Sequence, residues 1–194
     1  MKFKDALLST LIIEVGIALL AVINYGATLE SLQAVTRFSG RASLLIFSLI
    51  FLFQNHKHLK VKSILSEKYF LIFAIAHGIH LVELLSFVYL SGNPLIPIRL
   101  AGGFLAYVLI FMMPYAQSMF ERNKLSLKAF SSLTLIYLYY VWFIFFMSYL
   151  PRVRGTLTNV GGSYSEFVVL LAWVSVLLGI KLQSLLMAKV SSRK

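Results

Sequence analysis

Cysteine is missing from all 194 residues of the chain. Its absence removes disulfides, thiolate metal sites, iron–sulfur clusters and cysteine nucleophiles, and is compatible with any compartment. Acidic side chains are scarce too, with seven Asp and Glu against 18 Lys and Arg and a formal net charge of +11. Four histidines are too few for the large histidine sets of membrane di-iron hydroxylases. The chain has no Gly-rich phosphate loop, no G-x-S-x-G elbow and no H-E-x-x-H helix, which excludes the chemistries those motifs serve. No internal repeat is visible. Nor is there a polar stretch long enough for a separate soluble module, so residues 1–194 read as one domain.

What the chain has in abundance is apolar surface. Hydrophobic residues make up 59% of it, and runs of about twenty of them mark membrane helices. Six spans are expected, near residues 6–24, 38–55, 69–90, 98–120, 129–150 and 165–188, giving an all-α six-helix membrane bundle. The first ends at the turn signal Asn24-Tyr25-Gly26, with no convincing cleavage site for a signal peptide after Ala21. The second is the shortest between charges: Arg41 must snorkel toward the surface so that Phe38 to Gly40 can complete it. The third stops at Ser91-Gly92-Asn93-Pro94, and the fifth, rich in Tyr and Phe, stops at Pro151. Lys181 lies close enough to the end of the sixth to snorkel.

The basic residues sort by loop. Thirteen of the 18 fall at the N-terminus, in the second and fourth loops and at the C-terminal end. Only Arg37, Arg41, Arg99, Arg152 and Arg154 fall on the other side. Topology selection produces this bias, and it places both termini in the cytoplasm of a bacterial-type inner membrane. It also explains the positive charge without a nucleic-acid partner. The expected partner is the lipid bilayer.

Ionisable groups at mid-bilayer depth are costly enough to count as functional candidates. His77 and His80 lie about 13 and 18 Å into the third span at 1.5 Å per residue. Glu14 is at similar depth in the first span, and Glu83 lies further round the third helix. Lipid offers these groups no partner, so the His77/His80 face should point inward, toward Glu14 and the small-residue patch at Gly102 and Gly103. Pairing His80 with Glu14 or Glu83 would make a proton relay; a neutral hydrogen bond would only lock helix register. His56 and His58 sit among lysines in the second loop, where a solvated basic segment accounts for them better than a metal site does.

Two segments carry a resemblance. Thr36-Arg37-Phe38-Ser39-Gly40-Arg41-Ala42-Ser43-Leu44 resembles the F-T-G-R-x-A-L segment of ferric reductase-like transmembrane domains. Ile75-Ala76-His77-Gly78-Ile79-His80-Leu81 is similar to that family's heme-ligand helix. The nearest type is the heme-binding membrane subunit of periplasmic methionine sulfoxide reductase systems, and the likeness covers roughly residues 34–120.

The resemblance implies six spans, heme b, and electron transfer from a quinone or a separate cytoplasmic reductase. It implies His80, or else His77, as a ligand of the heme iron. The family's second ligand lies on the fifth span, and residues 129–150 contain no histidine. Iron held by one histidine would be five-coordinate or would recruit Met112 or Met113. The other reading of the same residues is a degenerate, cofactor-free membrane protein. It would serve small-solute or proton movement, or assembly of another membrane complex, with Glu14, His80 and Glu83 as its polar relay.

Overall fold

The computed structural model describes residues 3–54, 68–92, 97–157 and 161–191. His56 and His58 of the second loop, and Asn93-Pro94 of the third-span stop, lie outside the described residues. Six α-helices follow one another: α1 (Phe3–Tyr25), α2 (Leu29–Phe53), α3 (Tyr69–Ser91), α4 (Pro97–Glu121), α5 (Leu127–Val153) and α6 (Tyr164–Ser191). All six contain a stretch long and apolar enough to cross a membrane, and the chain is a multi-pass membrane bundle.

The helix ends follow from local chemistry. Thr28 caps α2 by accepting from the Ser31 N–H at 3.4 Å, and Ser126 caps α5 through Ala129 N–H at 3.2 Å. Gly92 closes α3 in the left-handed conformation, at φ 65. At the start of α6, Ser163 Oγ accepts from the Glu166 N–H while the Glu166 carboxylate accepts from the Ser163 N–H. That reciprocal pair is a capping box. Pro151 does not stop α5, which continues to Val153. An interior proline is tolerated where neighbouring helices re-satisfy the freed carbonyls.

The largest departure from the sequence reading concerns α2. It begins at Leu29, well before Phe38, and is the central helix of the bundle. It packs against α1 and α3 on one side and α5 and α6 on the other. Half of its most apolar stretch is buried, against 22–33% for the other five helices. The faces of a helix that pack on protein have no need to satisfy lipid, so the Ser, Thr, Gly and Arg content of α2 weakens the hydropathy signal without weakening the span, while Leu45 and Leu49 stay exposed.

The same packing changes the fate of the two charges expected to snorkel. Arg41 instead grips Glu166 with both guanidinium nitrogens, at 3.1 and 3.4 Å. Lys181, 3% exposed, donates to the Gln54 carbonyl at the end of α2. Between them Trp173 Nε1 donates to Ser48 Oγ at 3.0 Å. The three ties join α2 to α6 at offsets of 125, 125 and 127 residues, so the two helices run parallel in one register. A buried cation is tolerable only when its donors find acceptors, and here a helix-terminal carbonyl and the face of Phe51, 5.8 Å from Nζ, receive it.

The interior is aromatic. Phe47, fully buried, meets Phe51, Phe73, Tyr137 and Phe145 at centroid distances of 5.3 to 6.5 Å. Tyr137 is also fully buried, and its hydroxyl has no hydrogen-bond partner. Removing a buried, unsatisfied hydroxyl costs nothing in lost bonds. Tyr137→Phe is therefore expected to be neutral or to raise the unfolding temperature, as measured by circular dichroism in detergent. A clear loss of stability would mean that the hydroxyl holds an ordered partner.

Candidate functional site

Helix geometry places a divided seam between α2 and α3. Along α2, Ser39, Ser43, Phe47 and Phe51 recur every four residues and so share a face. Along α3, Phe70, Phe73, His77 and His80 do the same at spacings of three and four, and Glu83 lies further round that helix. The half of the seam nearer the α1–α2 turn is polar, and the half nearer Gln54 is aromatic. Glu14 of α1 joins the polar half. It is 6% exposed and about 16 Å from either end of its helix at 1.5 Å per residue.

The polar half holds more unmet hydrogen-bonding capacity than a packed interior normally keeps. Ser39 and Ser43 are fully buried. Ser39 Oγ, Ser43 Oγ, Glu14 Oε2, Glu83 Oε2 and the Nδ1 atoms of His77 and His80 all lack a partner. The Ser39 hydroxyl lies within reach of both the Glu14 and the Glu83 carboxylates, and the charge of Glu83 acts on Glu14, yet the hydroxyl closes a hydrogen bond with neither. A cavity of about 160 Å³ between α1 and α2 opens onto Glu14, with Thr10, Ala42 and Ile46 in its wall. Its wall surface is apolar and offers water no partners.

The two histidines both turn inward, but toward different neighbours. His77 is sandwiched: Phe73 stacks on it at 5.2 Å, Tyr107 of α4 at 5.0 Å, and Phe145 of α5 meets it edge-on at 5.8 Å. His80, whose centroid lies 5.2 Å from that of His77, faces α2, where it interacts with the Thr36 backbone and rests on Gly40. A Cβ at position 40 would come within 2.9 Å of His80 Cε1. Only glycine leaves space for the ring there.

The small patch at Gly102 and Gly103 does not face the histidines, as the sequence reading expected. Gly102 packs toward Ile144, and its carbonyl accepts from Tyr140 at 3.1 Å. It is a contact between α4 and α5 of the small-residue kind that membrane helices use.

Sequence reasoning singled out Glu14, His77, His80 and Glu83 but not Ser39 and Ser43, which lie on the facing helix. The spacing of Ser39 and Ser43 was available, as was the capping box that presents Glu166 to Arg41. Neither pattern says which helix lies opposite.

No family model, curated protein or solved structure matches this chain. The fit to heme rests on the residues themselves. A bis-histidine heme between the third and fifth helices would need space and a second ligand there. Phe47, Phe73, Tyr137 and Phe145 fill that space with ring-on-ring contacts, α5 supplies no histidine, and His80 faces α2. Met112 is 48% exposed while Met113 is fully buried among the core side chains. The larger groove, about 430 Å³ on the outer side of α3 and α4, is lined by apolar residues such as Ile75, Gly78, Phe111 and Pro114 and offers no ligand. This arrangement does not fit a bis-histidine heme. Among the described residues no three His, Asp or Glu side chains are grouped to hold a metal.

Chemically, the polar half can hold a proton. Two carboxylates that flank one buried hydroxyl favour holding a proton or cation between them. Ser39, within reach of both, offers a hydroxyl that can donate or accept.

Proposed function

We propose that this protein is a cofactor-free membrane protein that takes up and releases a proton at the Glu14–Ser39–Glu83 cluster, with His80 as the adjoining acceptor, in the service of small-solute or ion movement. The observation that carries this reading is the Ser39 hydroxyl, fully buried and unsatisfied between two carboxylates at mid-helix depth. The charge bias of the loops supports an orientation with both termini in the cytoplasm of a bacterial-type plasma membrane. In that orientation the polar half of the seam lies toward the outer face and the aromatic half toward the cytoplasm. The likeness to ferric reductase-like domains enters as descent: the Gly40–Arg41 segment and the histidine helix are kept while heme b, its quinone or reductase donor and electron transfer are lost. Fold outlasts chemistry in this way often.

Infrared difference spectroscopy of the full chain, cycled between acid and alkaline buffer, tests the reading. One carboxyl band per chain is expected to titrate reversibly, to vanish in Glu14→Gln or Glu83→Gln, and to shift its midpoint in His80→Ala. A carboxyl signal unchanged by both glutamine variants would overturn it. An absorption spectrum of the same sample separates the electron-transfer reading: a Soret band abolished by His80→Ala would restore heme, and none is expected.

A further inference from the structure

The proton accounts for the carboxylates but not for everything around them. A proton shared between Glu14 and Glu83 satisfies one oxygen of each and leaves the Ser39 hydroxyl idle. In the structure that hydroxyl is fully buried, lies within reach of both carboxylates, and is bonded to neither. Ser43, one turn along the same face, is also fully buried with an unpartnered Oγ. Of the six orphaned atoms in this half, Glu14 Oε2, Glu83 Oε2, Ser39 Oγ and Ser43 Oγ are oxygens, and the other two are the Nδ1 atoms of His77 and His80 on the neighbouring turns of α3. Oxygen-only sites suit hard cations. We propose that Glu14, Ser39 and Glu83 form a binding site for a monovalent cation of the sodium class, which competes with the proton for the same position.

The proposal rests on the proton reading above and deepens it by naming a second occupant. A monovalent ion fits the charge: with one carboxyl already protonated, the pair carries a single negative charge, which either one such ion or a second proton neutralises. A divalent ion fits poorly. Calcium takes six to eight oxygen ligands, and magnesium retains several of its waters. Four orphan oxygens fall short of the first requirement, and the adjoining cavity, apolar apart from Glu14 and Thr10, suits the second badly.

The titratable groups facing the site are Glu14 from α1 and His77, His80 and Glu83 from α3. From α2, Arg41 is turned away to Glu166 of α6; Tyr107 of α4 and Phe145 of α5 cover His77. Arg37 of α2 lies over the Phe38 ring and beside Gly162, next to the start of α6.

Thermal unfolding of the purified full chain in detergent, titrated with sodium chloride, tests this. Choline chloride and potassium chloride at equal ionic strength serve as controls. Sodium is expected to raise the unfolding temperature saturably, by about 2–4 °C at alkaline pH, since a ligand that binds only the folded state stabilises it. The rise should shrink in acid buffer, where the proton takes the place, and vanish in Ser39→Ala, Glu14→Gln and Glu83→Gln. Ser39→Ala removes only an unsatisfied hydroxyl and should fold normally, so it decides the matter if a glutamine variant does not fold. An equal rise in choline chloride, or a rise that survives Ser39→Ala, overturns the site. If sodium has no effect while the carboxyl band still titrates, the cation is excluded and the proton reading stands. Loss of both removes both.

Discussion

Gly40→Ala is expected to destabilise the bundle by about 1–3 kcal/mol, the usual cost of overpacking a filled interior, and His80→Ala in the same chain is expected to recover most of that loss. The added methyl would lie 2.9 Å from His80 Cε1 and 3.4 Å from both ring nitrogens. Real side chains do not approach that closely, so either the ring or the helix must move. The ring is held by the Thr36 backbone on one side and by the His77 ring, at 5.2 Å, on the other. Helix α2 is in turn fixed by the Arg41–Glu166 ion pair and by packing on four neighbours. Removing the ring opens the space that the methyl needs. A double-mutant cycle of unfolding free energies in detergent isolates this coupling. Additive effects of the two substitutions would show that the Gly40–His80 contact does not hold α2 against α3.

The second large effect concerns Phe47. Phe47→Ala is expected to cost about 3–5 kcal/mol, as for large-to-small changes at filled core positions, because four aromatic rings lose a partner at once. It should also change function. Phe47, Phe73 and Phe145 stand between the polar half of the seam and the Gln54–Tyr69–Lys181 group at its other end, where Tyr69 donates to the Gln54 side chain at 2.5 Å and Lys181 to the Gln54 carbonyl. Among the described residues no polar side chain of the α2 or α3 seam bridges that aromatic layer, so under the proposed function a proton held at Glu14 or Glu83 would communicate with one side only.

Emptying the Phe47 position admits water between the two polar groups. Vesicles containing Phe47→Ala should then leak protons under an imposed potential, followed with an entrapped pH dye. Wild type and Phe47→Leu, which refills most of the volume, should stay tight. The leak should disappear when Glu14→Gln is added. A leak independent of Glu14 would mean that the bundle is merely loosened, and a tight Phe47→Ala would remove the aromatic layer as the seal.

The legible parts of this chain were those written in local periodicity and composition. Six apolar runs announced six helices, and their bounds lay within a few residues everywhere except at the start of α2. Depth along a helix follows from counting at a fixed rise per residue, so Glu14, His77, His80 and Glu83 stood out as mid-membrane groups before any packing was known. Hydropathy, however, measures tolerance of lipid, and only one face of α2, with Leu45, Leu49 and Phe53, is exposed. Its low score reflected the packing of its other faces against four helices, which no property of residues 29–53 taken alone reveals.

Rotation was the other missing quantity. A sequence gives the angle between two residues on one helix but not the angle between helices. His77 and His80 are three residues apart, yet the first is stacked between Phe73 and Tyr107 and the second rests on Gly40. Arg41 and Lys181 looked like snorkelling charges because each lies near a span end. Tertiary packing instead supplied Glu166 and the Gln54 carbonyl from elements 125 and 127 residues away. What the sequence by itself determined was the membrane, the number of spans and the residues too costly to be there without a reason. Which of them meet, across Ser39 and beside an aromatic layer, was decided only when α2 was set at the centre of the bundle, because the energy of a buried polar group depends on the partner that packing brings to it.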